Sequence, residues 1–131
     1  MASYPTHYRY TKEHEWIAAE GNQGTVGITD YAQQQLGDVV YIEMPKSGAT
    51  VKSAEAFGTV ESVKAVSEIF SPVTGTVREV NPGLAASPEL INQDPHGRGW
   101  LVKIELANPA EVGHLMSAGE YEQFIAAQRP A

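Results

Sequence analysis

Clusters of turn-forming residues interrupt this chain at short intervals: Gly21-Asn22-Gln23-Gly24, Pro45-Lys46-Ser47-Gly48, Ser71-Pro72-Val73-Thr74-Gly75 and Asn81-Pro82-Gly83. Between them lie short runs rich in valine, isoleucine and aromatic residues, which favour extended backbone. The pattern predicts a mainly β chain, a compact sandwich or barrel, rather than a parallel α/β sheet. Candidate strands cover 16–19, 25–28, 39–44, 54–62, 66–70, 76–80 and 100–106. The last alternates, with Trp100, Val102, Ile104 and Leu106 on one face and Leu101, Lys103 and Glu105 on the other, toward water. Pro45-x-x-Gly48 and Pro72-x-x-Gly75 read as one turn device used twice, a faint sign of duplicated halves.

Helix signals occur at three places. Thr29-Asp30 offers an N-cap before Tyr31 to Leu36, and Gly37 offers a C-terminal stop. Asn108-Pro109-Ala110-Glu111 combines a cap, a first-turn proline and an early acid ahead of the apolar Val112, Leu115 and Met116. Ser117-x-x-Glu120 forms a capping box before Tyr121, Phe124 and Ile125, so two short helices or one bent helix should close the chain. Residues 84–99, broken by Pro88, Asn92, Pro95, Gly97 and Gly99, read as mostly loop.

With 131 residues the chain fits one domain, taken as 1–131, with enough length for a real core. It has no cysteine, which removes disulfide staples, thiolate metal sites and cysteine nucleophiles, so any sulfur redox chemistry must be imported. The formal net charge of −7 argues against nucleic acid or an anionic membrane as partner. No apolar run approaches a membrane span, and the start of the chain has neither a signal core nor a transit-peptide pattern, so a cytoplasmic protein is expected. His7, His14, His96 and His114 are scattered without a metal or nucleophile motif, which argues against an enzyme in its own right. His14 reads as structural.

One segment carries chemistry. Gly58-Thr59-Val60-Glu61-Ser62-Val63-Lys64-Ala65-Val66 sets a single lysine among small and β-prone residues ahead of the Ser71–Gly75 turn. It has the look of a lysine displayed for covalent modification, although positions 62–65 lack the Asn-Gly or Asp-Gly signal of a tight hairpin turn. A lysine taken alone reads as a solvated charge at a strand end, and for Lys64 it is the flanking residues that overturn that reading.

The run Glu61-Ser62-Val63-Lys64-Ala65 resembles the lipoyl-attachment segment of the glycine cleavage system H protein family. Further segments resemble that family in the same order: Tyr10-Thr11-Lys12-Glu13-His14-Glu15-Trp16, Gly27 to Gln33, Leu36 to Glu43, Ser71 to Gly75, Glu79-Val80-Asn81 and Gly99-Trp100. The resemblance implies a barrel-sandwich hybrid, lipoyl-domain-like, of two antiparallel sheets with short peripheral and C-terminal helices. It implies lipoic acid joined to Lys64 as lipoyllysine. The five-membered ring disulfide of that group cannot reach the torsion of about 85–100° that an unstrained disulfide prefers, so a nucleophile opens it easily.

By the same resemblance the chain is a carrier rather than an enzyme, and a monomer. It would take an aminomethyl group from a pyridoxal-phosphate glycine decarboxylase to an aminomethyltransferase that uses tetrahydrofolate. It would then present the dihydrolipoyl arm to a dihydrolipoamide dehydrogenase using FAD and NAD, having been loaded by lipoylating enzymes. The family likeness places Glu15 near a groove that shelters the loaded arm, where a carboxylate can hold an amine; otherwise Glu15 is an ordinary surface carboxylate at a strand start. Gln35 stands where some members have histidine, and it can hydrogen-bond but not carry charge. Around the attachment point Glu61, Ser62, Val63 and Ala65 are recognition candidates. Glu61 is either read by lipoylating enzymes and docking partners or is an outward-facing strand residue.

Other carriers fit less well. Biotin carriers set their lysine between methionines, whereas Val63 and Ala65 flank this one, and lipoyl domains of 2-oxoacid dehydrogenases carry Asp-Lys-Ala and Pro/Ala-rich linkers. An H-like protein that relays lipoyl groups to other proteins, or serves another one-carbon pathway, would show the same attachment motif.

Overall fold

The computed structural model of the protein describes residues 4–128. It contains two antiparallel sheets. Six strands form the larger: β1 (Arg9–Tyr10), β2 (Glu15–Glu20), β3 (Gln23–Ile28), β5 (Thr50–Val51), β8 (Gly75–Val80) and β9 (Val102–Leu106), in the order β1-β2-β3-β9-β8-β5. The smaller contains β4 (Val39–Glu43), β6 (Ala56–Ser62) and β7 (Val66–Phe70), in the order β4-β6-β7. The sheets are open, with no closed barrel. Short helices lie outside them: α1 (Asp30–Leu36), α2 (Gly83–Ala86), α3 (Leu90–Gln93), a 3₁₀ segment (Pro109–His114) and α4 (Ala118–Gln128). The mainly β, two-sheet expectation is borne out, and no helix of the described residues is long and apolar enough to cross a membrane.

Alternation along the strands builds the core. Ile17, Val26, Val60, Val77, Val102 and Ile104 are fully buried and belong to one apolar cluster spanning both sheets. A second cluster is aromatic, with Tyr4, Tyr10, Trp16, Tyr31 and Tyr121 packed beneath α4. There Tyr10 and Tyr121 stack with centroids 4.9 Å apart, and the Trp16 indole N–H is shared between the carbonyls of Ile28 at 3.0 Å and Pro95 at 2.9 Å. Burial raises the Tyr10 and Tyr121 phenols above their ordinary value, so both stay protonated hydrogen-bonding groups.

The caps behave as their residues dictate. Thr29 accepts from the Ala32 N–H at 3.2 Å at the start of α1, and Gly37, at φ +80°, ends it. The capping box opens α4 reciprocally: Glu120 accepts from Ser117 N–H at 2.8 Å and Ser117 accepts from Glu120 N–H at 3.2 Å. The two closing helical segments are separate, a 3₁₀ segment and then α4.

Four expectations are corrected. Residues 84–99 are not mostly loop, because buried Leu84 and Ile91 anchor the single turns α2 and α3 against the core. The last strand begins at Val102 rather than Trp100, and Leu101, placed toward water by alternation, is fully buried. The chain is still leaving the preceding turn there, so the two-residue period does not yet apply. The two-residue strands β1 and β5 carry no periodic signal and were not among the candidates. The two Pro-x-x-Gly segments are different devices: Gly48 sits in a turn at φ +95°, whereas Gly75 starts β8 where a Cβ would collide with the Glu105 carbonyl oxygen.

Candidate functional site

Lys64 occupies the turn between β6 and β7, where the register runs Thr59 opposite Glu68, Val60 opposite Ser67 and Glu61 opposite Val66. Ser62 makes the turn. Its backbone N–H donates to the Ala65 carbonyl at 2.8 Å, and its buried hydroxyl oxygen accepts from the Lys64 N–H at 3.3 Å and the Ala65 N–H at 3.1 Å. A serine hydroxyl thus replaces the Asn-Gly chemistry of a two-residue hairpin, and no residue of the turn adopts a positive φ. Val63, Lys64 and Ala65 are exposed at the tip.

The tip is braced from below. Val63 N–H donates to the Asp38 carbonyl at 3.0 Å, fastening the turn to the link between α1 and β4. Asn92 of α3 holds that link, accepting from Val39 N–H at 2.9 Å and donating to the Gly37 carbonyl at 2.9 Å and Gln33 Oε1 at 3.0 Å. The Lys64 stem passes over Gly37, where a Cβ would lie in ordinary contact, 3.4 Å from Lys64 Cε.

Beside this platform, between α1 and β7, runs a cavity of about 320 Å³ lined by Glu13, His14, Ile28, Tyr31, Ala32, Gln35, Leu36, Ser67, Glu68 and Ile69. Its floor is apolar and its rim carries two carboxylates. Gln35 is therefore placed in the groove, and Glu61 and Lys64 lie at the end of the same hairpin that supplies Ser67 and Glu68. Glu13 and Glu68, both exposed, escaped the sequence reading because nothing in their spacing brings β1's turn and β7 together. Asn92 escaped it because its segment reads as loop.

Glu15 is not a surface carboxylate: it is 1% exposed. Thr11 Oγ1 donates to its Oε1 at 2.6 Å and the Phe70 N–H donates to its Oε2 at 3.2 Å, linking β2 to β7 across the two sheets. It lines a neighbouring cavity of about 210 Å³ that shares Glu13 with the first. Burial pushes its carboxyl up to about 7, against the opposing pull of the Thr11 and Phe70 hydrogen bonds. His14, at φ +71°, has its Nδ1 2.8 Å from the Tyr121 hydroxyl, which also meets Thr29 Oγ1 at 2.7 Å. Burial lowers the His14 pKa, so the groove wall it forms is a neutral imidazole tied to α4. Among the described residues no group of three or more acidic or histidine side chains is arranged to hold a metal ion.

Residues 8–128 match the family model described as glycine cleavage H-protein. A glycine cleavage system H protein of Symbiobacterium thermophilum is 56% identical over 124 residues, 95% of this chain and 97% of the relative. One from Koribacter versatilis is 54% identical over 124 residues, 95% of each chain. The crystal structure of a glycine cleavage system H protein from Mycobacterium marinum superposes with a TM-score of 0.87 at 36% identity, covering 94% of this chain and 99% of that one. With its lysine hairpin, its two open sheets and nearly full-length relatives on both sequence and structure, the chain belongs to the glycine cleavage H-protein family, the carrier component of the glycine cleavage system.

Proposed function

We propose that this chain, acting as one carrier domain, bears lipoic acid on Lys64. It takes an aminomethyl group from glycine decarboxylase to the aminomethyltransferase and then presents the reduced arm to dihydrolipoamide dehydrogenase. The observation that carries the reading is the Lys64 turn itself: an exposed lysine, held at a hairpin tip by Ser62 and Asp38, with its stem running over a glycine.

The residues present suit the group. Lys64 is exposed at the tip of the hairpin whose strand β7 supplies Ser67, Glu68 and Ile69 to the cavity between α1 and β7, so an arm on its amine would start from the end of that hairpin with solvent around it. A lipoyl group bound there supplies a strained ring disulfide that exchanges readily with an attacking nucleophile. Covalent attachment keeps its local concentration high at each enzyme the carrier meets.

The chain's own side chains then have separable tasks. The apolar floor of Ile28, Leu36 and Ile69 excludes water from whatever lies in the groove. Glu13 and Glu68 supply carboxylates for an amine at the rim, and Gln35 supplies an uncharged hydrogen-bonding amide. Glu15 acts from behind as a positioning residue, holding the Phe70 N–H and with it the course of β7. Glu61, on the strand leading to Lys64, is the recognition carboxylate, with Ser62, Val63 and Ala65 shaping the tip.

The test is reconstitution of glycine cleavage with purified partners. Lys64→Arg keeps the charge but cannot form the lipoyl amide under these enzymes, and it should fold normally and support no turnover. Turnover by that variant above the level without carrier would refute the assignment.

A further inference from the structure

The groove between α1 and β7 holds one ring whose proton position decides what it can do. His14 lines that groove. Its backbone is fixed at φ +71° by its own N–H, which donates to the Thr11 carbonyl at 3.1 Å, and by its carbonyl, which accepts from the Thr29 N–H at 3.0 Å. The ring lies against Tyr31 of α1 and Phe124 of α4, with centroids 4.7 Å and 5.9 Å away. Its Nδ1 meets the Tyr121 hydroxyl at 2.8 Å, and that hydroxyl meets Thr29 Oγ1 at 2.7 Å. Thr29 and Tyr121 are both fully buried, and Thr29 Oγ1 already accepts from the Ala32 N–H at 3.2 Å. Each hydroxyl has one proton to place. If Thr29 donates to Tyr121 and Tyr121 donates to Nδ1, every proton in the chain has an acceptor. The reverse order leaves the buried Thr29 O–H with none, and an unmade bond there carries the full desolvation penalty of the donor. The first order therefore holds, and the neutral ring carries its proton on Nε2. Among the described residues no buried side-chain nitrogen or oxygen lacks a partner, and Nε2 bonds to no protein atom, so Nε2 is the accessible edge of the ring.

We infer that Tyr121 is a positioning residue of the groove: through the order Thr29 to Tyr121 to His14 it holds His14 as an Nε2–H donor, which meets a sulfur of the lipoyl arm and not the amine that the arm carries. The inference rests on the carrier reading of Lys64. The lining of the groove contains no lysine or arginine, and its carboxylates, Glu13 and Glu68, only accept. An amine in its ammonium form only donates, so it pairs with those carboxylates, and an Nε2–H has nothing to offer it. An aminomethyl group on the arm is bonded to sulfur through one carbon, so its nitrogen and that sulfur lie close together. Glu13 and His14 adjoin in the same way, both on the link between β1 and β2 and both lining the groove. The two side chains can take the two atoms together, the carboxylate on nitrogen and the imidazole on sulfur. Helix α4, which touches neither atom, thereby decides whether the ring is a donor or a base.

The experiment first reads the tautomer in the full-length apo-protein with isotope-labelled histidine, by long-range proton–nitrogen correlation of the ring, with His14 assigned by its loss in His14→Asn. Wild type should show an unprotonated Nδ1 and a protonated Nε2. A protonated Nδ1 would overturn the inference, whatever any variant does. Tyr121→Phe keeps the ring that stacks on Tyr10 and removes the hydroxyl, so it should leave His14 as a mixture of tautomers, while Thr29→Ser keeps the chain of hydroxyls and should keep the wild-type pattern. If folded Tyr121→Phe shows the wild-type tautomer, Tyr121 does not set it and the inference fails. The protein is then lipoylated and loaded with glycine and the decarboxylase. Loading should move the His14 Nε2 resonance and slow exchange of its proton. His14→Asn, a residue that accepts left-handed backbone, should release the aminomethyl group to water about five- to tenfold faster. If wild type gains no lipoyl group, the carrier reading fails and takes the sulfur contact with it, whereas the tautomer stands or falls on the apo-protein. If the arm loads and the Nε2 resonance does not move, the contact alone is overturned. A loaded arm that strips Nε2 of its proton gives the ring to the amine and overturns it equally.

Discussion

In the six-stranded sheet Ile17, Val26, Val77, Val102 and Ile104 are completely buried, whereas the three-stranded sheet buries Val60 and turns Tyr41 and Val66 to solvent. Both sheets obey the same two-residue alternation, but among the described residues only the smaller one and its turn leave large apolar side chains exposed, whereas the outer-face Tyr10 and Trp16 of the larger sheet are covered by α4. The larger sheet, backed by the aromatic cluster under α4, holds the fold together. The smaller one is a platform for a lysine, fastened to the rest by a few specific polar contacts: Val63 to Asp38, Asn92 to Gly37 and Val39, and Glu15 to Phe70. Stability and display are therefore separable, and substitutions should sort by sheet.

The largest effect should come from the larger sheet. Ile104→Ala deletes a fully buried side chain and should cost about 2–5 kcal/mol in urea unfolding, while the lysine of the folded fraction is still acylated. A loss under 1 kcal/mol would show that the two sheets share the load instead.

Next is the strut between the sheets. The folded Glu15 carboxyl titrates at about 7 against an ordinary value of 4.5, so between those values the folded chain binds more protons than the unfolded one. Wild-type stability is then greatest below about pH 4.5 with respect to this group and falls as pH rises to about 7, by about 3 kcal/mol in total. Glu15→Gln resembles the protonated acid and should erase that slope. Urea midpoints of both proteins at pH 5 and pH 8 measure it, and parallel pH profiles would remove Glu15 as a buried titrating strut.

Smaller still is the turn. Ser62→Ala removes the acceptor of the Lys64 and Ala65 N–H groups and should cost about 1 kcal/mol, with faster hydrogen exchange at those two amides and unchanged exchange in β9. Lys64→Arg, at an exposed tip, should change stability by less than about 0.5 kcal/mol. A larger change would mean that the display site also carries part of the fold.

The strong local signals survive the comparison of sequence with structure. The strands at β2, β3, β7 and β8, the caps at Thr29 and Asn108, and the Ser117–Glu120 box lie where their patterns put them, because alternation and capping are short-range chemistry. What the sequence conceals is long-range. Ser62 turns the hairpin through its hydroxyl rather than through a glycine, Asn92 braces Val39, 53 residues away along the chain, and Glu13 and Glu68 come to line one cavity only in the folded structure. Glu15 illustrates the limit well: its strand position was legible, but its burial depends on Thr11 and Phe70 closing over it. Gly75 is a further case, since its need to be glycine comes from Glu105 on a neighbouring strand.

The most direct test of the display site is intact mass and peptide mapping of the wild-type protein after incubation with a lipoate ligase, lipoate and ATP, beside Lys64→Arg under the same conditions. A single lipoyl increment on the peptide containing Lys64, absent from the variant, is the expected result. No increment on folded wild-type protein, or an increment that persists in the variant on another lysine, would contradict the account.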